Sequence, residues 1–167
     1  MASFLPPLLP LIKFFHLFFA FTWLGGIIFF ALVLRPALDR VDDASRKAIL
    51  VHVVPRAAAM FTPVGIAAVL FGYFTILAMD RLDAQVLFHA RWGYLINTAF
   101  VLCLVMIFVG WRYTYRYARG LALRLRDGDE LAGELQQHLT MVRGSAMAQF
   151  FLGVAALALM NWAGLSG

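Results

Sequence analysis

Long apolar runs separated by shorter polar stretches dominate the pattern along this chain. Four runs, at residues 11–34, 57–79, 92–111 and 144–163, have at least the roughly 20 residues that a helix needs to cross a bilayer. They do not alternate between apolar and polar positions, as the strands of a membrane barrel would. The pattern therefore predicts an all-α fold, an integral membrane four-helix up-down bundle, with one transmembrane domain over residues 1–167.

The connection before the fourth run is longer than the others. Its sequence DGDELAGELQQHL predicts a turn, with Asp129 as the helix N-cap, and then an amphipathic helix over residues 129–143 that runs into span four. Small residues in span four predict close helix packing, because small side chains let membrane helices approach; they are Gly144, Ala148, Gly153, Ala155, Ala156 and Ala158.

Composition agrees with a membrane environment. Of the 167 residues, 63% are hydrophobic and 14% are charged, whereas soluble domains average about 45–50% apolar and about 25% charged residues. The lipid bilayer is therefore the first expected partner. Cys103 is the single cysteine, so no internal disulfide can form, and we interpret its apolar setting as packing.

Basic residues are distributed unequally between the two sides of the bundle. Eleven belong to the first and third connections and their flanks, and three belong to the opposite side. The eleven are Arg35, Arg40, Arg46, Lys47, Arg56, Arg112, Arg116, Arg119, Arg124, Arg126 and Arg143, and the three are Lys13, Arg81 and Arg91. Because cytoplasmic loops are enriched in lysine and arginine, both termini are predicted on the outer side, periplasmic for a multi-pass protein of a bacterial inner membrane. The same bias explains the pI of about 9.9 without a nucleic-acid partner.

Polar side chains at membrane depth are costly, and each is therefore a candidate functional residue. His16 in span one is the strongest, since imidazole ligates haem iron, copper or zinc. Trp23 lies on the same helix face with small Ala20 between them, which would let a flat macrocycle approach the backbone. The alternative is a neutral histidine hydrogen-bonded to a neighbouring helix, for example to Asn97.

His89 is the candidate for a second metal ligand. Gly93 lies one turn inward and would leave space for the edge of a ligand. The predicted spans place His16 and His89 about 12 Å apart in depth, more than axial ligands allow unless span one begins after Lys13. The alternative is a solvated histidine at the membrane interface.

Two further histidines are weaker metal candidates. His52 and His138 lie at matching levels on the basic side, and each is followed by an arginine, Arg56 or Arg143. These arginines would suit haem propionates, because guanidinium pairs well with carboxylate. The alternative is that all four face lipid headgroups.

Several of these segments resemble a known family. HLFFAFTWLGG, PRAAAMFTPVGIAAVLFG, WGYLINTAFVLCLVMIFVG and VRGSAMAQFFLGVAALAL together resemble the four helices of the copper-resistance protein D family. The outline is also similar to the membrane haem-containing protoporphyrinogen oxidase family, whose first-helix histidine corresponds to His16. The resemblance implies a four-helix membrane module that handles copper or binds a b-type haem.

Two positions depart from these families. The oxidase family has a functional lysine in its third helix, whereas span three has none and Asn97 is its nearest polar residue. The copper family has a glutamate in its last helix where this chain has Gln149. Both departures remove a charge and argue against protoporphyrinogen oxidation. The sequence shows no buried carboxylate pair, no nucleophile with its base and no phosphate-binding loop.

The resulting expectation is a membrane protein with haem b that transfers electrons, alone or as a subunit of an oxidoreductase complex. The expected cofactor-binding residues are His16, Ala20, Trp23, His89, Gly93 and Asn97. The alternatives are copper uptake or handling, a protoporphyrinogen oxidase-like enzyme, and a non-catalytic structural subunit. Expected partners are a quinone or a redox protein, and a larger membrane complex or further copies of the chain.

Overall fold

The computed structural model describes residues 6–127 and 133–166, and within these ranges the chain is helical, with short turns and no strand. Four helical stretches in this part of the chain have the length and the apolar composition needed to cross a membrane. The predicted all-α membrane class is therefore confirmed.

The elements follow one another in simple order. A 3₁₀ turn at Pro6–Leu8 comes first, and span one then consists of α1 (Leu9–Ile28), a π-helical segment (Phe29–Leu34) and α2 (Arg35–Leu38). Span two consists of α3 (Asp43–His52) and α4 (Val54–Ala78), and the short α5 (Ala84–His89) follows it. Span three consists of α6 (Arg91–Val109), a second π-helical segment (Gly110–Tyr115) and α7 (Arg116–Arg126), and α8 (Gly133–Ser166) contains span four.

The spans pack as two antiparallel pairs. Spans one and two meet where His16 packs on Gly72 and Trp23 on Gly65, and spans three and four meet where Met106 packs on Gly153. Contacts between the two pairs are sparser. The antiparallel order places the start of α1 and the end of α8 at one end of the bundle, which we call the terminal end; we call the opposite end the basic end.

The helices continue past the apolar runs at the basic end. Span three is helical over 36 residues, a length of about 54 Å, whereas the hydrocarbon core is about 30 Å thick. The predicted end of this span at residue 111 marks the end of the apolar run and not of the helix. Beyond it, α7 is amphipathic: Leu121 and Leu125 are buried, and Arg116 and Arg119 are exposed.

This extension has a hydrophobic core of its own. Its buried members come from α2, α3, α7 and the start of α4, namely Leu38, Leu50, Val54, Ala118, Leu121 and Leu125. Arg46 stabilises the turn between α2 and α3, since its guanidinium donates to Leu38 O at 2.8 Å and to Val41 O at 3.2 Å. The sequence did not predict this second layer of helix packing.

The first π-helical segment has a cause in the sequence. Pro36 lacks an N–H, and its ring clashes with the carbonyl four residues earlier in a regular α-helix. The wider turn before it relieves that clash, and Arg35 N–H bonds to Phe30 O, five residues back. Span one therefore passes through Pro36 without ending.

The small residues of span four have mixed roles. Gly153 packs against Leu24 and Met106, and Ala156 is buried, as predicted. The prediction for Gly144 is wrong, because no described atom beyond its own stretch of helix lies within 4 Å of the position of an added Cβ. It is also wrong for Ala148, Ala155 and Ala158, which are exposed. The predicted helix over 129–143 is helical from residue 133 onward and runs into span four; residues 129–132 lie outside the described residues.

Candidate functional site

A cavity of about 280 Å³ lies between the two helix pairs at the terminal end. All four spans contribute to its wall, and most of the wall is apolar; members include Ala20, Leu24, Ala68, Val69, Ile96 and Leu157. Tyr73 and Leu157, which also line it, keep 45% and 49% of their surface exposed. The cavity therefore reaches the side of the bundle that lipid would cover. We call it the terminal cavity.

His16 is a polar group in this wall, and the neighbouring helix holds its ring. Its Nδ1 lies 2.9 Å from Ala68 O. Because a carbonyl oxygen only accepts hydrogen bonds, Nδ1 carries the proton and donates it. The neutral ring then has its lone pair on Nε2, the tautomer of a histidine ready to bind a metal.

Gly72 permits this arrangement. A Cβ added there would lie 3.0 Å from His16 Cε1 and 3.2 Å from Nδ1, which is tighter than ordinary van der Waals contact. The absence of a side chain at this position therefore lets the imidazole reach the carbonyl of the preceding turn of α4.

Among the predicted cofactor residues, the structure brings His16, Ala20 and Trp23 together in the terminal cavity. Trp23 is 6% exposed, and its indole packs against Gly65, where an added Cβ would lie 2.6 Å from Trp23 Cε2. The predicted shared helix face is therefore the face that lines the cavity.

The other three predicted residues lie around α5. The alternative that His16 is hydrogen-bonded to a neighbouring helix is confirmed, but its partner is Ala68 O. The example given, Asn97, is wrong, because Asn97 donates from Nδ2 to Leu87 O at 2.9 Å. An added Cβ at Gly93 would lie 2.2 Å from Val86 O, so this glycine makes room for the backbone of α5. His89 is exposed at the end of α5, and the described residues that line the terminal cavity do not include it.

The weaker histidine candidates lie toward the basic end. His52 is exposed, and its carbonyl accepts a hydrogen bond from Arg56 Nη1 at 3.0 Å. Arg143 forms an ion pair with Asp39. The side chain of His138 lies outside the described residues. Within the described chain, no group of three or more His, Cys, Asp or Glu side chains is placed to hold a metal ion.

Sequence reasoning missed part of the terminal cavity. Met79, Met106 and Met160 all line it, together with Cys103. Trp92 is also part of the wall, and the guanidinium of Arg81 lies 4.9 Å from the centroid of its ring. The helical spacing of Gly153, Ala156 and Met160 places these three residues on one face of span four, and this could have been inferred from the sequence. The spacing does not indicate which residues of the other spans that face contacts.

A second cavity, of about 50 Å³, lies nearer the basic end, and Trp23 and Met106 line both cavities. Among its polar members, Gln149 is 6% exposed and donates from Nε2 to Thr114 Oγ1 at 2.8 Å and to Ser145 O at 3.3 Å. Thr114 Oγ1 in turn lies 3.0 Å from Ser145 Oγ. The intramembrane glutamine flagged by the sequence therefore links spans three and four.

Comparison with protein-family models, with curated proteins and with solved structures finds no match for this chain. The resemblance to the copper-resistance protein D and membrane haem oxidase families therefore rests on the quoted segments alone.

Proposed function

We propose that this chain is a membrane haem protein that transfers electrons, with haem b held in the terminal cavity by His16. The observation that carries the proposal is the hydrogen bond from His16 Nδ1 to Ala68 O. Histidines that ligate metals commonly donate their other ring N–H to a carbonyl or carboxylate, which sets the tautomer and the ring orientation. Within the described residues, Nε2 has no hydrogen-bond partner.

The cavity wall suits a flat apolar group. Ala20 is a small residue in the wall near His16, and Trp23 is an aromatic member of the same wall. The volume of about 280 Å³ lies near the lower limit of small-molecule pockets, about 300 Å³, so a macrocycle would also occupy the mouth by Tyr73. Arg81, whose guanidinium lies over the ring of the wall residue Trp92, would supply a positive charge for the carboxylates of a haem.

Haem iron supplies one-electron chemistry when it is bound. The protein's own contribution is to hold the imidazole proton on Nδ1, to leave Nε2 as a ligand and to surround the site with apolar side chains. The redox partner proposed for such a site is a membrane quinone or a redox protein that approaches the open side of the cavity, within a larger complex or an assembly of copies.

An absorption spectrum of the purified protein tests this proposal. The wild type is expected to show a Soret band, and His16→Ala is expected to lose it. His52→Ala is the matched control, because His52 is exposed on α3 and lies outside the cavity. Full haem content in His16→Ala would refute the assignment of this histidine.

Copper handling is a second candidate, and one observation favours it. Three methionines and a cysteine line the same cavity as His16, and copper(I) prefers thioether, thiolate and imidazole ligands. A colourless protein that copurifies with copper, and loses it in His16→Ala, would support copper handling over haem binding.

We further propose that the basic end faces the cytoplasm and that both termini face the periplasm across the inner membrane. The eleven-to-three distribution of basic residues supports this orientation. Alkaline phosphatase fused after Gly167 is expected to be active, and the same enzyme inserted near Asp43 is expected to be inactive. The reverse pattern would overturn the orientation and place the terminal cavity on the cytoplasmic side.

A further inference from the structure

The second cavity, of about 50 Å³, has polar groups in its wall that the proposed haem site does not use. A buried water molecule needs about 10–15 Å³ of such space and about two to four polar partners. The cavity is therefore large enough for water, and the hydrogen-bonding groups of its wall decide what it binds.

The side-chain carbonyl of Gln149 is the first of these groups. Because Ser145 O only accepts hydrogen bonds, the bond to it fixes which end of the amide is Nε2. Oε1 then lies beside Gly110, where an added Cβ would be 2.9 Å away, and no described group donates to it. No fully enclosed N or O atom of a described side chain lacks a hydrogen-bond partner. Oε1 is therefore open to the cavity that its buried side chain lines.

The indole N–H of Trp23 is the second group. Cε2, the ring atom bonded to Nε1, lies 2.6 Å from the position of an added Cβ at Gly65, so this edge of the indole faces α4. Thr62 lies three residues from Gly65 on the same helix and lines the second cavity together with Trp23. Within the described chain no group accepts from Nε1, and the same reasoning makes this donor of a 6% exposed side chain open to a cavity.

The hydroxyl of Thr62 is the third group. It donates to Ala58 O at 3.3 Å, so its oxygen keeps lone pairs that can accept. The wall thus offers one N–H donor and two oxygen acceptors. A water molecule is complementary to this set, since it can accept one hydrogen bond and donate two. A cation is not, because it would meet the positive end of the indole N–H, and the described wall contains no carboxylate to offset the cost of a charge at membrane depth.

We propose that the second cavity binds a water molecule that accepts from Trp23 Nε1 and donates to Gln149 Oε1 and Thr62 Oγ1. Three hydrogen bonds are typical of a buried water. The water links spans one, two and four, and so connects the two helix pairs, between which direct contacts are sparse. It also holds the indole that forms part of the wall of the terminal cavity.

Nuclear magnetic resonance of the protein in lipid nanodiscs, with ¹⁵N-labelled tryptophan, tests this proposal. Trp23→Phe identifies the Trp23 indole signal among the four tryptophans. In the wild type, the Trp23 N–H proton is expected to show a rotating-frame cross-peak to water, with the sign of a dipolar contact and not of proton exchange. Thr62→Val and Gln149→Leu should each shift the Trp23 N–H signal upfield, and the double variant should lose the cross-peak.

Thr98→Val is the matched control. Thr98, like Thr62, donates to the carbonyl four residues back, but it is exposed and lies outside both cavities, so its substitution should leave the Trp23 signal unchanged. Exchange of sodium for choline at constant ionic strength should also leave the signal unchanged, and a shift would assign the site to a cation and overturn the proposal. A wild type without the water cross-peak would overturn it as well. His16 does not line this cavity, so these results are independent of whether the protein binds haem.

Discussion

Gly72→Ala is the substitution that most directly tests how the imidazole is held. The added methyl group would lie 3.0 Å from His16 Cε1 and 3.2 Å from Nδ1, so the ring has to move by a few tenths of an ångström, and the 2.9 Å bond to Ala68 O has to lengthen or break. Losing that bond costs about 0.5–1.5 kcal/mol. Replacing glycine by alanine inside a helix contributes about 1 kcal/mol in the other direction. The net change in the free energy of unfolding should therefore be close to zero.

Haem affinity should change much more than stability. Removing the outer partner of a metal-binding histidine typically weakens binding by about 10–100-fold, so haem titration of Gly72→Ala, followed by absorption, should show a loss of that size. Gly25→Ala is the matched control, because it makes the same substitution in span one, where no described atom beyond the glycine's own stretch of helix lies within 4 Å of the new Cβ. It should gain about 1 kcal/mol of stability and keep wild-type affinity. Equal haem affinity in both variants would refute the role assigned to the His16–Ala68 hydrogen bond.

Three other outcomes are expected. Gly65→Ala pushes a methyl group to 2.6 Å from the buried Trp23 indole and should destabilise the protein by about 1–3 kcal/mol in denaturant titrations; an unchanged midpoint would contradict this. Gln149→Leu removes the hydrogen bond from span four to Thr114 and should cost about 0.6 kcal/mol, the average for bonds between membrane helices, and no more than about 1.7 kcal/mol. Gln137→Leu makes the same substitution at an exposed position and should be neutral. Hydrogen bonds from Ser45 lower the pKa of Asp42, the N-cap of α3; this stabilisation is present above the unfolded-state pKa and is lost as pH falls through the lower folded-state value. Amide exchange in the first turn of α3, corrected for intrinsic rates, should therefore accelerate on acidification in the wild type and not in Asp42→Asn, and equal acceleration in both would contradict the assignment.

Part of the site was predictable because its signals are local. A histidine at membrane depth is costly wherever the chain goes, so His16 was identified before any fold was known. Helical periodicity also placed Ala20 and Trp23 on its face, and the structure confirms that all three line one cavity. The partner of His16 was not predictable, because the carbonyl of Ala68 is a backbone group that every residue has. The glycine that makes the contact possible resembles the other glycines of the spans.

The sequence by itself determined the helical class and the four apolar spans, because about 20 apolar residues in a row have few alternatives to a membrane helix. It did not determine where the helices end, since α7 continues span three with an amphipathic pattern that the basic residues obscured. Only the tertiary structure decided which side chains share a depth. The sequence paired His89 with His16, whereas His89 is exposed and lies outside the described wall of the terminal cavity that His16 lines. The depth of a residue in a bundle depends on the register between helices, and that register follows from packing between segments far apart in the chain.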